Sequence, residues 1–288
     1  MYDLYHVLND LTVPNYDDGC MFTDTRRLDR IRQYLADSPF HYEYSGKLFR
    51  AYAQVPFNTL PKNILVVSSH VDFKKGTCKC FSDSSNSDYL VGTYDNSITN
   101  AAVVSVLLEE GLELPKNLVV VFTGDEEAHS GGAKEFVHVF KKEHGHKIKC
   151  IVTDVTEDGY LDDAVFTIEN DCWKKKFGKR VMSYAKHQID EWQFIPYEEA
   201  GIDETTKYHK KKVQCFSFCI PVLPMDPKGD YAPSREAIHS AKGVKVSKGA
   251  YIQYVSALMD LICELGMSKK ELSYAVDEKF HKRPQESE

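Results

Sequence analysis

Asn63-Ile-Leu-Val-Val-Ser-Ser-His-Val-Asp72 decides the fold. Ile64–Val67 is a short, continuous apolar run of the kind buried on both faces of a largely parallel sheet. It delivers His70 where the chain turns polar. The same unit recurs twice. Asn117–Thr123 is a second buried strand and leads into Gly-Asp-Glu-Glu at 124–127, and Lys149–Thr153 is a third, ending on Asp154. Between them, Ser97–Glu110 carries Ala101, Val104, Leu107 and Leu108 at helical spacing, and Ala133–Lys142 follows the Gly131-Gly132 turn as a helix. Strands alternating with helices predict an α/β fold, a three-layer α/β/α domain with a mixed, largely parallel sheet. In such sheets active sites form at the carboxyl ends of the strands.

Outward from this centre, a helix is expected over Thr23–Leu35, capped by Thr23 or Asp24, with Leu28, Ile31 and Leu35 on one face. Phe40–Gln54 reads as a hairpin about Ser45-Gly46. Later elements are strands at Ala164–Glu169 and Val213–Ile220 and helices at Trp173–His187 and Gly249–Leu265. Lys207–Lys212 reads as a solvated loop edging a strand. No repeat, low-complexity tract or linker interrupts the pattern, so residues 1–288 are expected to form a single catalytic domain, with a charged, frayed tail from Asp277 to Glu288.

Composition narrows the function. The formal charge of −7 gives no electrostatic reason for a nucleic-acid or anionic membrane partner, so a small soluble ligand is expected. The 17 tyrosines and 15 phenylalanines then read as packing rather than a stacking platform for bases. The first residues carry scattered acids and lack the basic and apolar regions of a signal peptide. No stretch approaches the roughly 20 apolar residues of a membrane span. Eight cysteines spread through such a chain imply reduced thiols and a cytoplasmic location, and Cys78-x-Cys80 alone is too little for a metal or redox motif.

Five residues at the polar edges of apolar runs carry the chemistry: His70, Asp95, Glu127, Asp154 and His239. Singly each has an ordinary reading, as a loop histidine, a turn aspartate, a helix-start glutamate or a cap. Together they make a mixed nitrogen and oxygen set. That suits two divalent ions, zinc first and cobalt or manganese after it, provided one carboxylate bridges. Asp72, two residues beyond His70, can turn back to hold the imidazole ring. Glu126 beside Glu127 diverges from its neighbour, so one side chain can ligate metal while the other faces the reacting water.

The ordered motifs SSHVD at 68–72, GTYDN at 92–96, FTGDEEAHSGGA at 122–133, VTDVT at 152–156 and REAIHS at 235–240 resemble the co-catalytic di-zinc exopeptidases. VTDVT and SREAIHS are similar to the glutamyl-aminopeptidase family, and GTYDNS to the simple leucyl-type zinc aminopeptidases. The resemblance spans about residues 63 to 265. It implies that His70 and Asp154 bind one metal, that Glu127 and His239 bind the other, and that Asp95 bridges them. It further implies Glu126 as general base, Asp72 as the support of His70, and a cis peptide after Asp95.

Two departures shape the expectation. Only 25 positions separate His70 from Asp95, which leaves no room for the large inserted domain of the tetrahedral aminopeptidases. The 85 positions from Asp154 to His239 read as core strands and a helix, not as the lid or dimerisation domain of the deacylase and carboxypeptidase branch. Without a lid to grip a substrate carboxylate, an aminopeptidase acting on short peptides is expected. A deacylase of N-acylated amino acids and a non-catalytic binding protein retaining the fold are the alternatives. Locally, Ala128-His129 replaces the usual small residue and glycine, with His129 expected to be exposed. Asp125, Glu157 and Asp158 can each supply charge near the ligands, and Tyr231, Ser234 and Arg235 lie close enough to His239 to reach substrate.

Overall fold

A computed structural model describes residues 3–13, 26–73, 80–188, 191–225, 238–239 and 242–267. The run from Asn63 to His70 is the strand β3, central in an eight-stranded sheet. Its order is β1 (Tyr42–Ser45), β2 (Phe49–Ala53), β6 (Leu118–Thr123), β3, β7 (Lys147–Thr156), β10 (Gln214–Pro221), β8 (Phe166–Cys172) and β9 (Trp192–Ile195). The four inner strands β6, β3, β7 and β10 are parallel, and β2 and β8 join them antiparallel.

Alternation along β3 sends Leu65 and Val67 to one face and Ile64 and Val66 to the other, and both faces are covered. The first face packs under the helices α1 (Leu4–Leu11), α2 (Arg26–Leu35), α3 (Ser97–Leu107), α5 (Lys175–Gln188) and α7 (Lys248–Gly266). The second packs under α4 (Gly131–Val137) and α6 (Thr205–Lys210). The three-layer α/β/α arrangement is therefore the one expected. The segment between Asp154 and His239 supplies β8, β9 and β10 to the main sheet.

Several elements differ from expectation. A second, antiparallel sheet of β11 (Leu223–Pro224), β12 (Val244–Ser247), β5 (Tyr89–Gly92) and β4 (Ser82–Asp83) flanks the main one, and nothing in the pattern announces it. Helix α3 is buried almost all round, which a single sheet contact cannot achieve; α1 and α7 cover its other faces, α1 with a hydrogen bond of 2.9 Å between the Thr12 and Ser97 hydroxyls. Lys207–Lys212 is a helix through Lys210 rather than a loop, because Tyr208 is fully buried against the second core. Strand β7 runs past Asp154 to Thr156, since β10 continues to pair with it after β3 has ended. The helix after Gly131-Gly132 begins at Gly131, and its last turn, His138–Glu143, is widened. Cys78, the tail, Tyr231, Ser234 and Arg235 lie outside the described residues. Cys150, Cys172, Cys215 and Cys219 are free thiols, and no helix among the described residues is long and apolar enough to cross a membrane.

Candidate metal centre

Register places the ligands. His70 on β3 pairs with Thr123 on β6, and Ser69 pairs with Thr153 on β7, so the carboxyl ends of three neighbouring strands lie level. His70 closes the first, the Asp-Glu-Glu turn leaves the second and Asp154 follows on the third. Gly132 lets that turn close: its amide donates to the Gly124 carbonyl at 2.9 Å, and a β-carbon there would lie 2.3 Å from the Leu48 carbonyl oxygen. Asp95 arrives from the small sheet, between β5 and α3, and its peptide bond to Asn96 is cis, as the resemblance implies. Below it, Asn96 donates to the Thr153 carbonyl at 2.8 Å and Asn100 to the His70 carbonyl at 2.7 Å, tying the Asp95 turn to the ends of β7 and β3. His239 comes in just before β12, where Gly243 passes so close to Gly92 that a β-carbon would meet its carbonyl oxygen at 2.1 Å.

All five expected ligands converge. His70 Nε2 lies 3.1 Å from Asp95 Oδ1 and 3.5 Å from Asp154 Oδ1. His239 Nδ1 lies 3.1 Å from Asp95 Oδ2 and 3.6 Å from Glu127 Oε1. Asp95 thus turns one oxygen to each imidazole. Ligand atoms within 4.8 Å of one another group as His70, Asp95 and Asp154, as Asp95, Glu127 and His239, and as His70, Glu126 and Glu127. Glu126 therefore stands beside the ligands on the same cavity.

The donor set fits divalent metal on grounds internal to it. His70 Nδ1 faces the Asp72 carbonyl at 3.1 Å, and a carbonyl can only accept, so Nδ1 carries the hydrogen. In the neutral ring the Nε2 lone pair then points at two carboxylates, an arrangement that calls for a cation between them. Asp95 Oδ1 and Glu127 Oε1 are buried and accept no hydrogen bond from the described residues.

Electrostatics of the bare side chains agree. Burial disfavours the His70 imidazolium, yet Asp154, Asp72 and Asp95 outweigh it and hold the ring well above its ordinary pKa. For Asp95 burial is likewise overcome, here by His239 and His70, which hold it below the usual carboxylate range. Burial pushes Glu127 up to about 7, helped by Asp95. Burial also carries Glu126 well above the carboxylate range; His70 opposes this, and Asp154, Glu127 and Glu204 reinforce it.

The cluster opens on a cavity of about 540 Å³. Beyond the ligands its walls include Glu157, Glu169, Asn170, Asp203, Ile202 and Lys207. Of the three carboxylates that sequence offers as extra charge, Glu157 lines the cavity, whereas Asp125 and Asp158 do not. His129 stands at the rim with its side chain 81% exposed. Glu169 and Asp203 are not flagged by motif. Glu169 has one sequence signal, that it and Thr167 alternate with Phe166 and Ile168, which puts polar groups on a buried strand face; Asp203 has none.

This fold is shared with solved aminopeptidases. A TET aminopeptidase from the marine sediment archaeon Thaumarchaeota archaeon SCGC AB-539-E09 superposes with a TM-score of 0.67 at 11% identity, over 94% of this chain and 98% of that one. Aminopeptidase APDkam598 from Desulfurococcus kamchatkensis gives 0.64 at 11%, over 94% and 97%. A zinc aminopeptidase from Bacillus subtilis gives 0.55 at 14%, over 77% of this chain and 51% of that one. Among curated protein sequences none matches. The family model for peptidase family M20/M25/M40 matches residues 89–286, and the chain belongs to that family. It is accordingly a hydrolase of the metal-dependent peptidase type.

Proposed function

We propose that the chain is an exopeptidase using two divalent ions, zinc in the first instance, that removes N-terminal residues from short peptides. One observation carries this reading: the two oxygens of Asp95 each lie 3.1 Å from a different imidazole. His70 and Asp154 would hold one ion, Glu127 and His239 the other, and Asp95 would serve both. Such a pair, when bound, lowers the pKa of a shared water and polarises the scissile carbonyl. Glu126, buried beside the ligands and raised by that burial above the usual carboxylate range, would as the carboxylate take the water proton and return it to the departing amine. Asp72 keeps the His70 and Glu127 segments in register.

The acidic character of the cavity favours a free amine over an acylated one. Glu157, Glu169 and Asp203 line it in addition to the ligands, against one ammonium, that of Lys207, among the described residues. Metal analysis of the purified chain, followed by hydrolysis of a peptide library with free and acetylated N-termini, tests the proposal. Two ions per chain and cleavage confined to free N-termini are expected. Preference for acetylated substrates would make the chain a deacylase, and metal binding without hydrolysis would make it a binding protein.

A further inference from the structure

Arg27 is a fully buried charge next to the proposed metal centre. Its Nε donates to the Leu11 carbonyl and its Nη1 to the Val71 carbonyl, each at 3.0 Å, while Nη2 is buried without a hydrogen-bond partner among the described residues. The guanidinium carbon stands 5.8 Å from the centre of the Phe73 ring. Among the described residues no carboxylate forms an ion pair with it. A guanidinium cannot shed its proton at physiological pH, so its desolvation must be offset by negative charge at longer range. Burial works against its charged form, and the groups that favour it are Cys80, Asp95, Asp72 and Glu127. The last three belong to the proposed centre.

Val71 lies between His70 and Asp72, so the bond to its carbonyl sets the cation directly behind the loop that carries a ligand and its support. The carboxyl groups of Asp72, Asp95 and Asp154 all lie within 3.7 Å of the His70 ring, and Asp72 also meets the Glu127 backbone, so several acids gather at the end of the loop that Arg27 holds from behind. We infer that Arg27 is a positioning residue for the metal centre, balancing its carboxylates through space while pinning the His70–Asp72 loop through Val71. The inference rests on the metal-centre reading and goes beyond it.

Its consequence is asymmetric. Arg27 attracts the carboxylates most strongly when no ion neutralises them, so it stabilises the metal-free chain more than the loaded one. Removing the charge should therefore tighten metal binding, the opposite of what a simple packing defect does. The test uses the full chain stripped with a chelator, as wild type, Arg27→Lys, Arg27→Gln and Arg27→Met. Zinc affinity is measured by competition with a chromogenic chelator, and unfolding midpoints are measured with and without zinc.

Arg27→Met and Arg27→Gln should bind zinc roughly tenfold or more tightly than wild type. Their zinc-induced rise in midpoint should be larger, and Arg27→Lys should stay near wild type. Arg27→Gln decides the matter if Arg27→Met does not fold, because it keeps a donor for Val71 but no charge. Unchanged or weaker zinc binding in Arg27→Gln, or equal behaviour of the Lys and Gln variants, overturns the inference. Failure of the wild-type chain to take up zinc would instead overturn the metal-centre reading itself.

Discussion

Asp72 joins the two halves of the ligand cluster: its Oδ2 accepts the backbone N–H of Glu127 at 3.2 Å, and its Oδ1 lies 3.7 Å from His70 Nδ1. The ring itself is oriented by the main-chain carbonyl of Asp72 at 3.1 Å. Sequence spacing anticipates an H-x-D support in which the carboxylate holds the imidazole. In the structure the carbonyl does most of that, and the carboxylate reaches across to the other ligand segment. Asp72→Asn should therefore weaken both ions together, by about 10–100-fold, the usual effect of losing an outer partner. Zinc competition with stoichiometry resolved shows it; loss of the His70 ion alone would contradict the bridging role.

The adjacent glutamates separate by variant. Glu126→Gln should retain both ions and substrate affinity while turnover drops by at least about 10²–10⁴-fold, the scale of general acid–base catalysis. Glu127→Gln should lose occupancy of the ion shared with His239 and recover in part with added metal, since an amide is a poor substitute for a carboxylate ligand. Metal content and peptidase rate measured on the same samples decide between them. Equal metal loss in both variants would refute the division of roles.

Metal uptake should release protons. In the bare cluster His70 is held well above its ordinary pKa by its carboxylate neighbours, and Glu127 is pushed to about 7 by burial. A metal ion requires the neutral imidazole and the ionised carboxylate, so both protons must leave when it binds below those values. Apparent affinity should accordingly rise with pH through neutrality and flatten once both groups have lost their protons. Calorimetry in buffers of different ionisation enthalpy gives the proton count. An affinity independent of pH between about 6 and 8 would be incompatible with these shifts.

Phe140 should bear stability without bearing on the metal. It is buried in the widened turn after α4, 4.4 Å from the Phe136 ring and in edge contact with Tyr44, Phe49 and Phe57. Phe140→Ala should cost about 3–5 kcal/mol, the range for emptying a large core site. Denaturant unfolding measures the cost, with zinc affinity per folded chain unchanged. A loss below about 1 kcal/mol would mean that the cluster closes over the gap.

The legible part of the sequence is the part whose neighbours along the chain are also its neighbours in space. Strands β3, β6 and β7 are apolar on both faces, so their burial and the placement of His70, Glu127 and Asp154 at their ends follow from pattern. The small sheet does not, because β5 and β12 have four residues each and meet across half the chain. Arg27 shows the same limit. It shares the buried stripe of α2 with Leu28, Ile31 and Leu35, at helical spacing, but its charge disguises its place until the Val71 carbonyl is seen opposite it.

The ligand cluster is also a seam. His70, Glu127 and Asp154 hang from the main sheet, while Asp95 and His239 flank β5 and β12 of the small one. Ions held by both sets would act as a clasp between the two sheets, beside the β10–β11 connection and the Asn96–Thr153 hydrogen bond that already join them. Loss of the ions would then appear first as local opening on one side. Amide exchange in β5 and β12 would quicken while β3, β6 and β7 kept their protection, so the metal state of the chain would be readable in the breathing of its smaller sheet.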